Sequence, residues 1–359
     1  GSFKFVEGLQ ECIRNFGHVD MMEDTRDGRR VAVKRMPNHW VTASPAQFAK
    51  THRDAYEQPW LDLAILMELN MRRCPFACEL IDVFQDDHHM YVVTSLATQG
   101  DLFTWCSSAP VPGPCREMVI SPIAWQTFSA VRWLHNLGVA HRDLSLENIM
   151  ITDAPGGVPQ VKLIDFAMAT TSRTCRNELR GKACYQAPEM HTEAEYDAFL
   201  TDAFALGVVI FALSLQVYPW DSTAPNLGCR RFRLAALFGL RPLLEQKRLR
   251  QCGDRCLIDI LSRDLVSLLV GLLEVRPERR LHLGEYCRRR RSPAAPARAA
   301  GAPCGRRSGC WTQLLASLPP TTRPRPRRPR AAAAARTRRA RAAPQTRRAR
   351  AAPRRCRLL

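Results

Sequence analysis

The feature that most constrains this sequence is a polar octapeptide between two apolar segments. His141-Arg142-Asp143-Leu144-Ser145-Leu146-Glu147-Asn148 is preceded by Ala130–Val139 and followed by Ile149–Ile151. Apolar flanks favour buried elements, so the polar segment is predicted to be a loop held by the scaffold on both sides. A loop held in this way and rich in His, Arg, Asp, Glu and Asn is typical of an active site.

A second polar signal follows 17 residues after Asn148, where Asp165-Phe166-Ala167 comes directly after the strand-like segment Val161–Ile164. Together the two motifs resemble the catalytic loop and the metal-binding turn of eukaryotic protein kinases. The resemblance implies an α+β fold with two lobes, a small β-rich N-lobe and a larger helical C-lobe. It also implies an ATP-dependent protein kinase of the serine/threonine type.

The resemblance assigns a role to each polar side chain of these motifs. Asp143 would accept the proton of the substrate hydroxyl, and Asn148 and Asp165 would bind Mg²⁺ through side-chain oxygens. The expected cofactors are therefore ATP and Mg²⁺. The expected partners are protein substrates that carry a Ser or Thr hydroxyl.

The N-terminal region has the pattern of a β-hairpin whose second strand ends in a lysine. Phe16–Val19 precedes the turn Asp27-Gly28, and Arg30–Lys34 follows it. The Val-Ala-Val-Lys sequence resembles the kinase strand whose lysine holds the α- and β-phosphates of ATP. The resemblance therefore assigns phosphate binding to Lys34.

In this register Gly17 and Val19 lie at the end of the glycine-rich loop of the family. Cys12 and Arg14 occupy the two earlier glycine positions. Glycines there let backbone N–H groups approach phosphate, so the two replacements imply an altered clamp. Arg14 either contacts phosphate itself or is a solvated loop residue.

The segment Thr42–Arg73 is predicted to be helical, since Ser44-Pro45 is a good helix start and apolar residues follow at helical spacing. Kinases place a Glu on this helix to pair with the strand lysine, and the alignment puts Asp62 at that position. Glu57 and Glu68 are rivals, but both face away from Asp62 by helical periodicity. Asp62 is therefore preferred.

The remaining nucleotide contacts follow from the resemblance to the hinge between the lobes. Ser95-Leu96-Ala97 matches the hinge, whose backbone bonds adenine, and Thr94 lies at its inner end. Asp101 would accept a hydrogen bond from ribose or cap the next helix, and the two roles are compatible. The residues expected to enclose the adenine are Val19, Ala32 and Met150. The predicted kinase domain covers 3–286, with the N-lobe at about 3–94, the hinge at 95–97 and the C-lobe at about 98–286.

Two departures from the family concern the surroundings of Asp143. Serine/threonine kinases usually have Lys where this chain has Ser145, and Thr where it has Lys182. A cation and a hydroxyl are thus both present, in exchanged positions. Lys182 is predicted to contribute to catalysis by reaching Asp143 and a phosphate oxygen. The alternative is that Lys182 points outward and recognises acidic substrates.

The resemblance also predicts three structural contacts in the C-lobe. Glu189 would pair with Arg280, and Asp202 would bond the backbone of the catalytic loop. The activation-segment position that usually carries a phosphate falls on Glu178, which either faces Arg142 or is a solvated surface residue.

A pseudokinase that serves as a nucleotide-binding scaffold or regulatory domain is the alternative to an active kinase. The altered glycine loop and Asp62 favour the pseudokinase. The presence of Lys34, Asp143, Asn148 and Asp165 favours the active enzyme.

The formal net charge of +19 arises from the C-terminal tail. Of the 53 Lys and Arg residues, 22 arginines lie in Arg288–Leu359, which contains no acidic residue. The other 31 basic residues face 34 acidic ones, a net charge of −3. The Arg-, Ala- and Pro-rich tail 287–359, whose one apolar cluster is Trp311–Leu318, is predicted to be disordered.

Three interpretations of the tail stay open. It is an unremarkable extension, an arm that binds polyanions (nucleic acid, anionic lipid or an acidic protein), or a spurious gene-model end. The arginine clusters can also act as a nuclear address.

Cysteine content and hydropathy give the expected location. The 14 cysteines form no Cys-x-x-Cys pair, which is typical of reduced thiols in an intracellular protein, cytoplasmic or nuclear. The most apolar run, Ala203–Val217, is shorter than the ~20 residues of a membrane span, so a buried central helix is predicted and no transmembrane segment. The chain begins Gly1-Ser2 rather than Met, as a trimmed fragment would.

Overall fold

The computed structural model describes residues 3–12, 16–108, 110–153 and 159–284. Within these ranges the predicted two-lobed α+β architecture is confirmed, with a five-stranded sheet followed by a mainly helical lobe. The predicted disordered tail 287–359 and the predicted phosphate contact of Arg14 lie outside the described residues.

The N-lobe is an antiparallel sheet with three short helices inserted before its fourth strand. Its elements are β1 (Phe3–Cys12), β2 (Gly17–Asp24), β3 (Arg30–Pro37), α1 (Asn38–Val41), α2 (Pro45–Thr51), α3 (Pro59–Met71), β4 (Leu80–Gln85) and β5 (His89–Ser95). The strand order is β1-β2-β3-β5-β4. The predicted hairpin is formed by β2 and β3, which places Val19 opposite Lys34.

The prediction of one continuous helix over Thr42–Arg73 is wrong. Ser44 does cap α2, because its hydroxyl accepts a hydrogen bond from the Gln47 N–H at 3.2 Å. That helix ends at Thr51, and α3 begins only at Pro59. Proline suits a first helical position because it lacks the N–H that would be unpaired there. It also disfavours helical geometry in the residue before it, which separates the two helices.

In the part of the chain that the structure describes, the C-lobe consists of helices and three short two-stranded sheets. Its elements are α4 (Leu102–Ser108), α5 (Pro114–Asn136), β6 (Ile149–Thr152), β7 (Gln160–Leu163), β8 (Thr174–Arg176), α6 (Glu189–Thr192), β9 (Glu195–Asp197), α7 (Ala198–Leu215), α8 (Arg230–Phe238), α9 (Leu240–Gln246), β10 (Arg248–Leu249), β11 (Arg255–Cys256), α10 (Leu257–Ile260) and α11 (Arg263–Leu272). The polar octapeptide connects α5 to β6, and the metal-binding turn follows β7. Since β6 pairs with β7, the hairpin brings the two motifs together.

The central helix of the C-lobe is α7. All of its 18 residues are buried, with a mean hydropathy of 2.1, so by length and composition alone it could cross a membrane. In the fold its whole surface is covered by protein, as predicted for a helix that is apolar on every side. It therefore serves as the core around which the other C-lobe helices pack.

A buried ion pair closes the C-lobe between distant parts of the chain. The guanidinium of Arg280 contacts the Glu189 carboxylate in a two-pronged arrangement, with Nη1–Oε1 at 2.5 Å and Nη2–Oε2 at 2.9 Å. Their side chains are 0% and 3% exposed. The guanidinium also donates to the backbone oxygens of Leu200 and Glu274. The predicted contact is present, and it anchors the start of α6 to the end of the described chain.

Replacing Glu189 by Ala is expected to lower the free energy of unfolding by about 3–5 kcal/mol, because the Arg280 charge would stay buried without its partner. Urea unfolding of both proteins measures the loss. Glu195→Ala is the matched control, since Glu195 pairs with Arg176 at 2.6 Å on the surface. Exposed pairs of that kind contribute at most about 1 kcal/mol. Equal losses in the two variants would contradict the proposed role of burial.

Candidate active site

The backbone of the polar octapeptide is held by a buried carboxylate on α7. Asp202 accepts the N–H of His141 at 2.7 Å through Oδ2 and the N–H of Arg142 at 2.8 Å through Oδ1. Nε2 of the buried His135 lies 2.9 Å from the same Oδ2. Arg142 has a φ of +62°, a conformation that costs energy in a non-glycine residue. The carboxylate therefore stabilises a strained loop from beneath.

Asp143 and Asn148, five residues apart in this loop, are in direct contact. The side-chain amide of Asn148 donates to the backbone oxygen of Asp143 at 2.7 Å and to its Oδ2 at 3.2 Å. The Asn148 backbone oxygen accepts from the N–H of Ile164 at 3.1 Å. Since Ile164 directly precedes Asp165, the structure brings the predicted base and both predicted metal ligands into one site.

The predicted contact between Lys34 and Asp62 is present. Lys34 Nζ lies 2.7 Å from Asp62 Oδ2 and 3.8 Å from Asp165 Oδ1. The other oxygen of Asp62 accepts the backbone N–H of Phe166 at 2.9 Å, a contact that the sequence did not predict. One carboxylate thus joins the strand lysine, helix α3 and the metal-binding turn.

The start of α3 explains how an Asp can replace the longer Glu. The N–H of Gln58, directly before Pro59, donates to the backbone oxygen of Ala167 at 2.7 Å. This bond holds the first turn of α3 against the metal-binding turn. The rival Glu68 lies on another face, where it pairs with Arg72.

The electrostatics of the site keep Lys34 charged. Burial by itself would lower the pKa of the Lys34 ammonium. The carboxylates of Asp62 and Asp165 outweigh the burial effect, so the pKa is raised above its usual value. A permanent positive charge is what a group that holds phosphate requires.

The residues predicted to enclose adenine lie on facing elements of the two lobes. Val19 is opposite Lys34 in the sheet, and Ala32 is opposite Thr94. Met150, at the start of β6, forms an isolated β-bridge with Asp101. Gly17 pairs with Cys12 at the end of the β1–β2 ladder, beside this group.

Ser95 at the start of the hinge uses its N–H and its hydroxyl in contacts within the protein, and adenine binding by the hinge backbone stays a prediction. The N–H of Ser95 donates to the Glu79 backbone oxygen, and its hydroxyl accepts from the Glu79 N–H, both at 2.9 Å. The N–H and side chain of Ser95 are therefore occupied on the far side of the hinge. Within the described residues, the backbones of Leu96 and Ala97 make no hydrogen bond, so Ala97 keeps its predicted role.

Asp101 caps helix α4, which is one of the two roles predicted for it. Its Oδ1 accepts the Thr104 N–H at 2.7 Å, at the start of α4. Because one oxygen is sufficient for the cap, the second can still accept from ribose. That contact stays a prediction.

A cavity of 360 Å³ lies behind the hinge, on the side that Ser95 faces. Cys74, Cys78 and Lys162 line it, whereas Lys34 and Asp143 do not. Burial raises the pKa of both thiols, which keeps them protonated. The cavity thus shares hinge residues with the candidate nucleotide site but none of its catalytic or phosphate-binding side chains.

The exchanged cation and hydroxyl near Asp143 are in contact. Lys182 Nζ lies 3.2 Å from Ser145 Oγ and 2.8 Å from Glu147 Oε1. Sequence reasoning missed Glu147, although it is an acidic residue in the same octapeptide. The predicted reach of Lys182 to Asp143 stays a prediction.

A glycine allows the Lys182 segment to approach the octapeptide closely. Gly181 has a φ of +77°, and a Cβ there would lie 2.9 Å from the Arg142 oxygen and 3.4 Å from Asp143 Oδ1. A larger residue would push the segment away from the site.

Arg142 is held by a carboxylate of the activation segment. Its Nη1 lies 2.7 Å from Glu178 Oε2, and its Nε donates to the Met168 oxygen at 2.8 Å. Arg180 Nη2 lies 3.4 Å from the same Glu178 oxygen. Burial would lower the pKa of Arg142, but its bond to Glu178 reverses the effect and raises it. The predicted contact between Arg142 and Glu178 is therefore present.

The side chains at the metal-binding turn fit Mg²⁺. Asp165 offers a carboxylate, and Asn148 offers its amide oxygen because its NH₂ group is directed at Asp143. The described part of the chain has no group of three or more His, Cys, Asp or Glu that could hold a metal. Mg²⁺ is commonly bound by one or two such oxygens together with substrate phosphates, so the set suits an ion shared with a nucleotide.

Comparisons with known proteins agree with this geometry. The protein kinase domain family matches residues 15–290. Serine/threonine-protein kinase SIK1 of Rattus norvegicus is 27% identical over 297 residues, which are 81% of this chain and 34% of the rat protein. Testis-specific serine/threonine-protein kinase 5 of Mus musculus is 28% identical over 213 residues, 57% of this chain and 50% of the mouse protein.

Serine/threonine-protein kinase SBK1 of Danio rerio is also similar, with 28% identity over 230 residues. The match covers 62% of this chain and 54% of the zebrafish protein. The chain therefore spans only part of the length of these relatives.

Replacing Asp62 by Asn is expected to lower the pKa of Lys34, because one of the two carboxylates that oppose the effect of burial loses its charge. An NMR titration of ¹³C-methylated lysines measures the shift. Glu68→Gln on the same helix is the control and should leave Lys34 unchanged, since Glu68 pairs with Arg72. The same Lys34 pKa in Asp62→Asn and the unsubstituted protein would contradict the electrostatic role of Asp62.

Proposed function

Because the chain belongs to the protein kinase family, we propose that it is an active enzyme that transfers the γ-phosphoryl group of ATP to Ser or Thr hydroxyls of proteins. The observation that carries the proposal is the position of the Asp62 carboxylate. It lies 2.7 Å from the Lys34 ammonium and accepts the Phe166 N–H at 2.9 Å. This contact holds the phosphate-binding lysine and the metal-binding turn in one arrangement, ready for the nucleotide.

In this mechanism Asp143 is the base. Its carboxylate accepts a hydrogen bond from Asn148, and the residue as a whole is only 7% exposed, so the base is oriented before a substrate arrives. It would accept the proton of the substrate hydroxyl as that oxygen attacks phosphorus. Bound Mg²⁺, held by Asn148 and Asp165, would supply the charge that neutralises the phosphate oxygens.

Two cationic side chains of the protein would stabilise the phosphates of ATP. Lys34 is kept charged by Asp62 and Asp165, and it would hold the α- and β-phosphates. Lys182 lies beside the octapeptide, bonded to Ser145 and Glu147. We propose that Lys182 supplies the positive charge that the family usually places at position 145, where this chain has Ser145. Its long stem would let it exchange Glu147 for a phosphate oxygen when a nucleotide is bound.

The pseudokinase alternative rests on the altered glycine loop. Cys12, at the first glycine position, ends β1 opposite Gly17, so the loop starts from a regular strand pair. Burial raises the pKa of the Cys12 thiol, which therefore adds no negative charge near the phosphates. This supports a loop that still accepts a nucleotide.

Replacing Asp143 by Asn is expected to abolish phosphorylation of a peptide and to leave ATP binding nearly unchanged, because the base acts only in the transfer step. Asp165→Asn should instead weaken Mg²⁺-dependent nucleotide binding. Peptide phosphorylation and nucleotide titration with and without Mg²⁺ measure both effects. Asp254→Asn, on an exposed turn, is the control.

Wild-type activity in Asp143→Asn would refute the assignment of the base. Nucleotide binding without phosphorylation of any peptide by the unsubstituted protein would support the pseudokinase alternative.

Replacing Glu178 by Gln is expected to lower kcat, because Arg142 would lose the charged partner that orders the activation segment. The unsubstituted protein should be partly active without phosphorylation, since one carboxylate supplies part of the charge of a phosphate. Steady-state kinetics of phosphatase-treated protein test both statements. Glu195→Gln, which removes a carboxylate of the exposed pair with Arg176, is the control.

Complete dependence of activity on phosphorylation of a nearby hydroxyl would contradict this role of Glu178. The candidate hydroxyls are those of Thr170, Thr171, Ser172 and Thr174.

We also propose that the Arg-rich tail contacts polyanions and that the protein acts in the cytoplasm or nucleus. The tail carries 22 arginines and no acid, so its binding to nucleic acid or anionic vesicles should weaken steeply with salt. Deletion of 288–359 should remove that binding and leave activity on a neutral peptide unchanged. Undiminished salt-sensitive binding by the shortened chain would refute the role of the tail.

A further inference from the structure

The exposed face of the first half of α5 is apolar. Cys115, Met118, Val119, Pro122 and Trp125 all reach solvent along this face. Met118 is 70% exposed and Trp125 is 39% exposed. The five residues form a stripe about 15 Å long at the rise of an α-helix. We name it the α5 stripe.

The two charged residues within the stripe's span face inward. Arg116 is 0% exposed, and its guanidinium donates to the backbone oxygens of Leu213 at 2.6 Å and Cys106 at 3.0 Å. Glu117 is buried and accepts the Ser262 N–H at 2.7 Å. A surface helix normally has its charges outside and its apolar residues inside. Because Ile120 and Ile123 are buried as well, this half of α5 is apolar on its outward face in addition to its inward face. An exposed apolar stripe without charges indicates that another apolar surface covers it.

The tail of this chain contains a segment with the matching pattern. Trp311, Leu314, Leu315 and Leu318 have the spacing i, i+3, i+4 and i+7, which places them on one face of a two-turn helix. An eight-residue helix is about 12 Å long, close to the length of the α5 stripe. Arginine-rich stretches flank the segment, so it is the part of the tail whose apolar side chains are best suited to burial.

The chain between the domain and this segment can reach the stripe. The described residues end at Gly284, just after Leu281, whose N–H donates to the Gly271 oxygen near the end of α11. The start of α11 touches α5, through the bond between Ser262 and Glu117. Since α11 is about 15 Å long, the chain leaves the domain close to α5. Residues 285–310 have a coil span of about 28 Å, which covers this distance.

We propose that the tail segment Trp311–Leu318 docks as a short amphipathic helix on the α5 stripe of the same chain. Tethering supplies a high effective concentration, so a contact of modest area suffices. Electrostatics favours the tail over a second copy of the chain as the occupant of the α5 stripe. The tail carries 22 positive charges against a net −3 on the rest of the chain, whereas two chains of net charge +19 repel each other.

A photo-crosslinking experiment on the full chain tests the proposal. The photoreactive residue p-benzoylphenylalanine replaces Met118, the chain is illuminated, and tryptic fragments are analysed by mass spectrometry. The expected product joins position 118 to the fragment that contains 311–318, within one chain. The same replacement at Leu237, which is 68% exposed on α8, is the control and should give little of this product.

A pair of tail variants tests the docked face. Leu315→Asp puts a charge on the apolar face of the segment and should reduce the crosslink about tenfold or more. Gln313→Asp adds the same charge on the opposite face and should leave the yield unchanged. The proposal is overturned by a tail crosslink that is equal at positions 118 and 237, or by one that Leu315→Asp leaves intact. It is also overturned if Met118 crosslinks to a second copy, at twice the mass, or to no tail fragment.

Discussion

The interaction on which the site most depends is the hydrogen bonding of the buried Asp202 carboxylate. Its two oxygens accept consecutive N–H groups, those of His141 and Arg142, while His135 contacts one of them from α5. A carboxylate that accepts several hydrogen bonds tolerates burial, and in return it holds a loop whose backbone would otherwise relax. The positions of Asp143 and Asn148 follow from this anchor. Because α7 is covered on every side, the anchor itself has little freedom to move.

A second carboxylate plays the corresponding role for the metal-binding turn. Asp62 is shorter than the usual Glu by one methylene, and the structure compensates by drawing α3 towards Ala167 through the Gln58 N–H. The same closeness lets Asp62 accept the Phe166 N–H while it pairs with Lys34. The Asp at position 62, which in the sequence favoured the pseudokinase alternative, thus makes an additional contact with the metal-binding turn. Lys34, α3 and the turn are held as one unit.

Local patterns predicted what local forces determine, namely the β2–β3 hairpin and the buried α7. The pairing of Lys34 with Asp62 was implied by the resemblance to the kinase family, and helical phase bears only on the rival Glu68, since Glu57 precedes α3. Patterns failed where a distant backbone group decides the outcome. The break between Thr51 and Pro59 depends partly on a bond from Gln58 to Ala167, more than 100 residues away. No periodicity within 42–73 contains that information.

The same limit applies to side chains in the site. Ser95 was expected to contribute to adenine binding through the hinge backbone, and the structure shows its hydroxyl and N–H bonded to Glu79, directly before β4. For Lys182 the sequence indicated Asp143 as a partner, which stays a prediction, and the structure adds contacts with Glu147 and Ser145. In both cases a competing polar partner lay within reach only after folding. Sequence reasoning identified the residues that form the site, whereas their choice among nearby partners required coordinates.

The buried α7 has a consequence for the synthesis of this protein on the ribosome. Its 18 residues leave the exit tunnel as a stretch hydrophobic enough to resemble a membrane span, before α8 to α11 exist to cover it. Arg280, which ties α6 and α7 to the end of the domain, is made some 90 residues after Glu189. At the usual ~5–20 residues per second, the helix stays uncovered for several seconds. During that interval the uncovered apolar surface of the nascent chain is prone to aggregation.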